Sequence, residues 1–162
     1  MDHEQVLTLA QSFPSRTARP GEIIIAEGGE SSELLILRSG TVEVRRGGQL
    51  VAVIDGEGAT LGEVSMLLNS PSTADVVARD QVELAVIADP EAFFEEQPAL
   101  ALFVARQLAD RLARVTDYLA DLKDEFGDVD GRLGMVPEIV SQLLTWRRVT
   151  AQAVETADEQ SA

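Results

Sequence analysis

The sequence predicts a mainly β domain, an all-β sandwich or barrel, followed by a long α-helix. The first observation is that short apolar runs alternate with turn segments rich in Gly, Ser and Asp between residues 22 and 88. Short strands at such regular spacing are typical of all-β folds. The predicted strands are EIIIAE, LLILR, TVEVRR, QLVAVI, ADVVA and VELAVI.

The second observation is a change of pattern after Asp89-Pro90. Pro98 suits the first position of a helix, and neither Gly nor Pro follows until Gly127. Apolar residues then recur at alternating spacings of four and three, which favours the seam of a two-stranded coiled coil and hence a homodimer. The alternative is one amphipathic helix lying on its own barrel. After Ala101 and Ala105, the predicted dimer seam contains Leu108, Leu112, Val115, Leu119, Leu122 and Phe126.

The two ends of the chain predict further short helices. Residues 4–12 could form one or two turns with Val6, Leu7 and Ala10 on one face. We expect a main domain over residues 1–126 and a short helical extension over 127–162 with a frayed acidic tail. The apolar face of that extension could dock on its own protein, or could bind a protein partner through residues 132–150.

Composition excludes several classes of function. The formal net charge is −15, from 13 basic and 28 acidic residues, and this charge would repel DNA and anionic membranes. The sequence lacks Cys, a signal peptide and an apolar stretch long enough to cross a bilayer, so we expect a cytoplasmic protein. Because His3 is the only histidine, we predict no histidine-based metal site and no Ser-His catalysis. No spacing of carboxylates argues for catalysis by acidic residues alone, and we expect no enzyme.

Three motifs in order resemble the cyclic nucleotide-binding domain family. They are PGEIIIAEGGESSELLILRSGTVEV, then LGEVSMLLNSPSTADVV, then a long helix containing QLADRL. The family provides the sensor domain of catabolite-activator-type regulators, cyclic-nucleotide-dependent kinases and gated channels. Over about residues 20–125, the resemblance implies an antiparallel, jelly-roll-like β-roll of about eight strands (about 20–90), closed by the helix at about 98–126.

The resemblance also implies a phosphate-binding cassette after a strand that ends near Leu61. Within it, backbone amides at Val64 and Ser65 would contact the cyclic phosphate, and Glu63 would accept the ribose 2′-hydroxyl. The only expected ligand is cAMP or cGMP, with no other cofactor and no metal. The predicted ligand-binding residues are Gly62, Glu63, Val64, Ser65, Ser72, Thr73, Ala74 and Thr116.

Ser72 departs from the family pattern, because the resemblance implies an Arg at this position. A serine offers one neutral donor, whereas an arginine offers two charge-assisted hydrogen bonds to phosphate. Strand alternation places Arg79 on the opposite face, so we do not expect it to compensate, whereas Arg38, Arg45 and Arg46 could come near through folding. The sequence therefore predicts a sensor with weak or altered nucleotide affinity. The alternative is a nucleotide-independent dimerisation or protein-docking module built on the same fold.

The residues after the predicted sensor bear on DNA recognition. The segment near Arg132 resembles the lead-in to the winged helix-turn-helix domain of catabolite-activator-type regulators. Only about thirty residues remain there, with few basic side chains, so we expect no sequence-specific DNA binding.

Overall fold

The structure is a computed structural model, and it describes residues 1–30 and 32–126. The helices in this part are α1 His3–Ala10, α2 Glu63–Leu68, α3 Pro90–Glu96 and α4 Pro98–Phe126. The strands are β1 Ser15–Ala18, β2 Ile23–Ile25, β3 Leu34–Ser39, β4 Val42–Arg46, β5 Gln49–Ile54, β6 Thr60–Leu61, β7 Asp75–Ala78 and β8 Val82–Ile87.

The eight strands form two four-stranded sheets in which every neighbouring pair is antiparallel. One sheet has the order β1-β8-β3-β6, and the other has the order β2-β7-β4-β5. The predicted mainly β fold, an antiparallel roll of about eight strands followed by a long helix, is confirmed. None of the helices in the described residues is both long and apolar enough to cross a bilayer.

The main hydrophobic core contains residues from both sheets. Leu35, Leu37 and Leu84 come from the first sheet, and Val42 and Val76 come from the second. A second apolar cluster involves the other face of the first sheet, where Leu34 and Ile36 of β3 pack with the α1 residues Val6 and Ala10. Because β3 is buried on both faces, its sequence is a continuous apolar run rather than an alternating one.

The first part of α4 contributes to this second cluster. Leu100, Phe103 and Val104 are buried there, and Leu108 packs against the cluster from its edge. The compact unit that holds both sheets ends at Asp110. Up to Asp110, α4 packs on the roll of its own chain. This agrees with the alternative interpretation of the heptad pattern, an amphipathic helix lying on its own barrel. The dimer seam and the domain boundary at residue 126 stay predictions, and the extension lies outside the described residues.

Two elements of the roll have no counterpart among the predicted ones. The strand β1 buries only Ala18, and it needs no apolar run because it pairs at the edge with β8. The helix α3 begins after Asp89, whose side chain accepts a hydrogen bond from Ala92 N, and Pro90 occupies its first turn. The Asp-Pro pair is a helix-start signal that the sequence already contained.

Arg38 of β3 ties the end of α1 to the first sheet. Its Nη2 donates to the carbonyl oxygens of Ala10 and Phe13, the last at 2.8 Å, and its Nη1 donates to Glu83 Oε1 at 3.0 Å. The carbonyls at a helix C-terminus lack intrahelical donors, so the guanidinium satisfies groups that the helix cannot. The hydrogen bond from Arg38, and then that from Ser15, lowers the pKa of Glu83 below its ordinary value of 4.5.

Glu83→Gln is expected to weaken the acid sensitivity of the fold. Since the folded pKa of Glu83 is depressed, its contribution to stability is present above pH 4.5 and is lost as the pH falls through the folded pKa. Urea unfolding at about pH 6 and about pH 3 should show a larger loss of stability for the wild type than for the variant. Glu57→Gln, at an exposed carboxylate in the turn before β6, is the control. Equal losses in the wild type and Glu83→Gln would contradict the argument.

Candidate ligand-binding site

The predicted cassette, residues 62–74, begins with a turn that requires glycine. Gly62 is the N-cap of α2 and has φ 85° and ψ −6°, in the left-handed region. A Cβ at this position would lie 2.9 Å from the carbonyl oxygen of Glu33. Both the backbone conformation and the space available therefore exclude a larger residue, and this turn directs the chain from β6 into α2.

The first turn of α2 brings four predicted ligand-binding residues together. Glu63 and Ser65 are buried, with only 3% and 6% of their surface exposed, whereas Val64 is exposed. Ser65 Oγ donates to the carbonyl oxygen of Gly62 at 3.1 Å, and Met66 N donates to the same oxygen at 3.1 Å. The first N–H groups of a helix have no intrahelical acceptors, so this turn presents backbone donors beside a buried carboxylate.

The far end of the cassette is fastened to the turn between β2 and β3. Ser72 N donates to Gly29 O at 2.9 Å, and Gly28 N donates to Ser72 O at 2.7 Å. Asn69 ends α2 with φ 46°, a left-handed conformation that asparagine adopts more readily than most residues. The backbone N–H and C=O of Ser72 therefore both attach the cassette to the Gly28-Gly29 turn.

The side chain of Ser72 is occupied within the cassette itself. Its Oγ donates to Ala74 O at 2.8 Å, and the residue is half-buried. Arg79 is exposed just beyond β7, with its Nε 3.8 Å from Glu43 Oε1. Arg45 also pairs with Glu43, at 2.6 Å. Two of the guanidinium groups near β7 are thus engaged with the same carboxylate.

The remaining predicted ligand residues are Thr73 and Ala74, at the end of the cassette, and Thr116 in α4. Thr73 is exposed and Ala74 is half-buried, directly before β7. Thr116 lies in α4 beyond Asp110, in the second compact unit, and its hydroxyl donates to Leu112 O at 2.9 Å. The predicted residues from Gly62 to Ala74 thus belong to one compact unit, and Thr116 belongs to the other.

The comparison with family models decides how this arrangement is classified. The model of the cyclic nucleotide-binding domain matches residues 15–102, which is more than half of the chain. The chain belongs to the cyclic nucleotide-binding domain family. The match begins at the first strand and ends in the first turns of α4, so it includes both sheets and the whole cassette.

Individual relatives of this cyclic nucleotide-binding domain belong to larger proteins. It is 35% identical over 78 residues to a cAMP-dependent protein kinase regulatory subunit of Yarrowia lipolytica, covering 48% of this chain and 20% of that subunit. It is 31% identical over 93 residues to the acetyltransferase Pat of Mycolicibacterium smegmatis, covering 52% of this chain and 26% of that enzyme. The chain thus matches only about a quarter or less of the length of these two relatives.

Among solved structures, the catabolite activator protein of Thermus thermophilus superposes with a TM-score of 0.61. The identity is 32%, and the match covers 74% of this chain and 59% of that chain. This similarity supports the same β-roll and long helix that the sheet order describes.

The face of the second sheet that carries Val76 continues beyond the main core as an apolar wall of Val44 and Ala52. Val44 of β4 pairs across the strands with Val76 on one side and with Ala52 on the other. Directly paired residues share a face, and Val76 belongs to the core. The same face therefore continues past the core through Val44, which is half-buried, to Ala52, which is exposed.

A separate cavity of about 420 Å³ lies beside α2. Among the eight predicted ligand residues only Ser65 lines this cavity, and the other seven do not. Two carboxylates among its lining residues also disfavour an anionic ligand. Its lining consists of Glu30, Ser32, Ser65, Met66, Asn69, Ser70, Pro71 and Glu91.

Gly62→Ala is expected to lower the free energy of unfolding by about 1–3 kcal/mol. The alanine would have to adopt a left-handed backbone conformation, and its Cβ would lie too close to Glu33 O. Urea unfolding measures the loss. Gly56→Ala is the matched control, since a Cβ at Gly56 would meet nothing within 4 Å, and its effect should stay within about 0.5 kcal/mol. Equal stability of the two variants would show that the turn at Gly62 is not required.

Proposed function

We propose that this chain is a regulatory sensor domain without catalytic chemistry that responds to a cyclic nucleotide, cAMP or cGMP, with weak or altered affinity. The observation that carries the proposal is the first turn of α2. There, the left-handed Gly62, the buried Glu63 and the helix-start amides lie together within a domain of the cyclic nucleotide-binding family.

Each part of the cassette has a chemical role in this proposal. The amides at Val64 and Ser65 donate to the phosphate oxygens, because N–H groups at a helix start favour an anion. The Glu63 carboxylate accepts a hydrogen bond from the ribose 2′-hydroxyl. The apolar wall at Val44 and Ala52 packs against the base, as apolar walls with a few polar groups do in ligand sites.

Ser72 is the reason for expecting weak affinity. Its hydroxyl already donates to Ala74 O, and it supplies no positive charge. Loss of one partner from a buried charge pair costs about 2–5 kcal/mol, and about 1.4 kcal/mol corresponds to tenfold in affinity. A site that would be micromolar with an arginine is therefore expected to be about millimolar with Ser72. The formal net charge of −15 also weakens the binding of an anionic nucleotide.

The second candidate function is a nucleotide-independent dimerisation or protein-docking module. It is favoured by the hydrogen bonds that hold Ser72 through its backbone and its hydroxyl without a ligand. In this case a protein partner would bind through residues 132–150, which lie outside the described residues. The two candidates differ in whether any cyclic nucleotide binds.

The proposed dimer rests on the exposed apolar residues of α4. Leu112 and Val115 are 66% and 54% exposed, although both are large and apolar. They continue the seam that starts at Leu108 and ends with Leu122 and Phe126. An a/d seam of this kind buries its apolar side chains when two helices pair.

Titration with cAMP and cGMP by calorimetry tests the sensor proposal, and Ser72→Arg sharpens the test. The variant should bind at least tenfold more tightly than the wild type, because it restores a bidentate, charged donor for the phosphate. Gln81→Arg, which adds the same charge at an exposed residue between β7 and β8 and outside the predicted ligand residues, is the control and should gain less. Absence of heat from both the wild type and Ser72→Arg at millimolar nucleotide would reject sensing and leave the docking module.

Leu112→Glu is expected to convert a dimer into a monomer, because two carboxylates would face each other within the seam. Sedimentation velocity measures the change. Ala113→Glu introduces the same charge at an exposed residue outside the seam, and it should leave the dimer intact. A wild-type monomer at high micromolar concentration, or a dimer in Leu112→Glu, would exclude this seam.

A further inference from the structure

The side chain of Gln107 in α4 forms three hydrogen bonds with the turn that precedes the cassette. Its Oε1 accepts from Thr60 N at 3.2 Å and from Thr60 Oγ1 at 3.1 Å. Its Nε2 donates to Gly58 O at 3.0 Å. Both ends of the amide are therefore used, and Thr60 is fully buried at this contact.

The turn that Gln107 contacts is itself held tightly by the roll. Gly58 N donates to Leu37 O at 2.7 Å, and Leu37 N donates to Ala59 O at 2.9 Å. Gly58 has φ 81°, and a Cβ there would lie 3.3 Å from His3 Nε2. Strand β3, helix α1 and helix α4 thus all meet the same short turn.

This turn leads directly into the cassette. The strand β6 consists only of Thr60 and Leu61, and the next residues are Gly62 and Glu63. No flexible segment separates the residue that Gln107 binds from the residue that starts α2. A shift of Thr60 must therefore change the position of Gly62.

We propose that Gln107 is the positioning residue that couples α4 to the cassette. Movement of α4 away from the roll would break three hydrogen bonds, two of them at the fully buried Thr60, and the loss of buried hydrogen bonds costs free energy. A displacement of α4 is therefore expected to displace Thr60 and Gly62 as well. Leu100, Phe103 and Val104 attach α4 to a cluster that includes no residue of β6, so they serve a different contact.

The contact between Gln107 and Thr60 couples α4 to the cassette in the domain without ligand. That a bound nucleotide acts through this contact rests on the proposed function. A ligand that displaces the first turn of α2 would transmit that displacement through Gly62, Thr60 and Gln107 to α4. The signal would therefore pass through a polar contact at Gln107, which no pattern in the sequence identifies.

A double-mutant cycle without nucleotide tests the coupling. Gln107→Glu keeps the size of the side chain and its acceptor, but it places an oxygen against Gly58 O. The cassette is perturbed mildly by Ser65→Ala, which removes the hydrogen bond to Gly62 O, and more strongly by Gly62→Ala. Amide hydrogen exchange of residues 103–108 is the readout for α4.

In the wild-type background, each cassette variant should raise exchange at residues 103–108 several-fold. In the Gln107→Glu background, the same variants should cause no further rise, because the contact is already broken. Arg106→Ala, at the exposed neighbouring residue, is the control background and should behave as the wild type does. Equal fold-changes in the Gln107→Glu and wild-type backgrounds would overturn the proposal.

A second measurement separates coupling from a purely structural role. Gln107→Glu alone should raise exchange at residues 58–64 on the order of tenfold and leave β8, residues 82–87, unchanged. A uniform rise over the whole roll would mean that Gln107 only stabilises the fold, and the proposal would be rejected. Neither measurement uses nucleotide, so a failure to bind cAMP or cGMP would reject the sensor proposal without affecting this result.

Discussion

Burial of β3 on both faces is the constraint on which the rest of the structure depends. Leu35 and Leu37 point into the core shared by the two sheets, while Leu34 and Ile36 point to the cluster formed with α1 and α4. The same strand carries Arg38, which donates to the last carbonyl of α1 and to Phe13 O, and it hydrogen-bonds the turn before β6 through Leu37. Because β3 packs against the second sheet on one face and against α1 and α4 on the other, the packing of β3 also determines where β6 and the cassette lie.

The cassette is built largely from backbone, and this explains how its geometry persists without an arginine. The left-handed turn at Gly62, the start of α2 and the paired hydrogen bonds between Ser72 and the Gly28-Gly29 turn need no charged side chain. An arginine would contribute to the affinity for phosphate rather than to the shape of the loop. A substitution at Ser72 therefore changes the charge and removes the hydroxyl bond to Ala74 O, whereas the backbone hydrogen bonds of residue 72 do not depend on the side chain.

The sequence predicted the fold more completely than the contacts of the site. Strand alternation and turn residues identified six strands, and the family resemblance implied the strand that ends near Leu61, yet β1 carries too little apolar surface to be recognised. The heptad pattern selected Ala101 and Ala105, but the roll buries Leu100, Phe103 and Val104, because an amphipathic helix can present different apolar stripes to different surfaces. Gln107 was missed because a glutamine within a helix usually faces solvent, and only the folded turn supplies its partners.

The burial of Glu63 bears on the choice between a sensor and a docking module. Only 3% of this residue is exposed, and removal of a carboxylate from water costs free energy that a paired charge seldom recovers relative to an apolar residue of similar size. A buried acid at this position therefore carries a cost in free energy, whichever of the two candidate functions the domain has. A site that must accept a hydroxyl hydrogen bond gains directly from it, because a buried, pre-positioned acceptor recognises a donor strongly. In the proposed sensor, Glu63 therefore has the role of recognising the ribose hydroxyl, and Ser72 has the role of setting how tightly the phosphate is held.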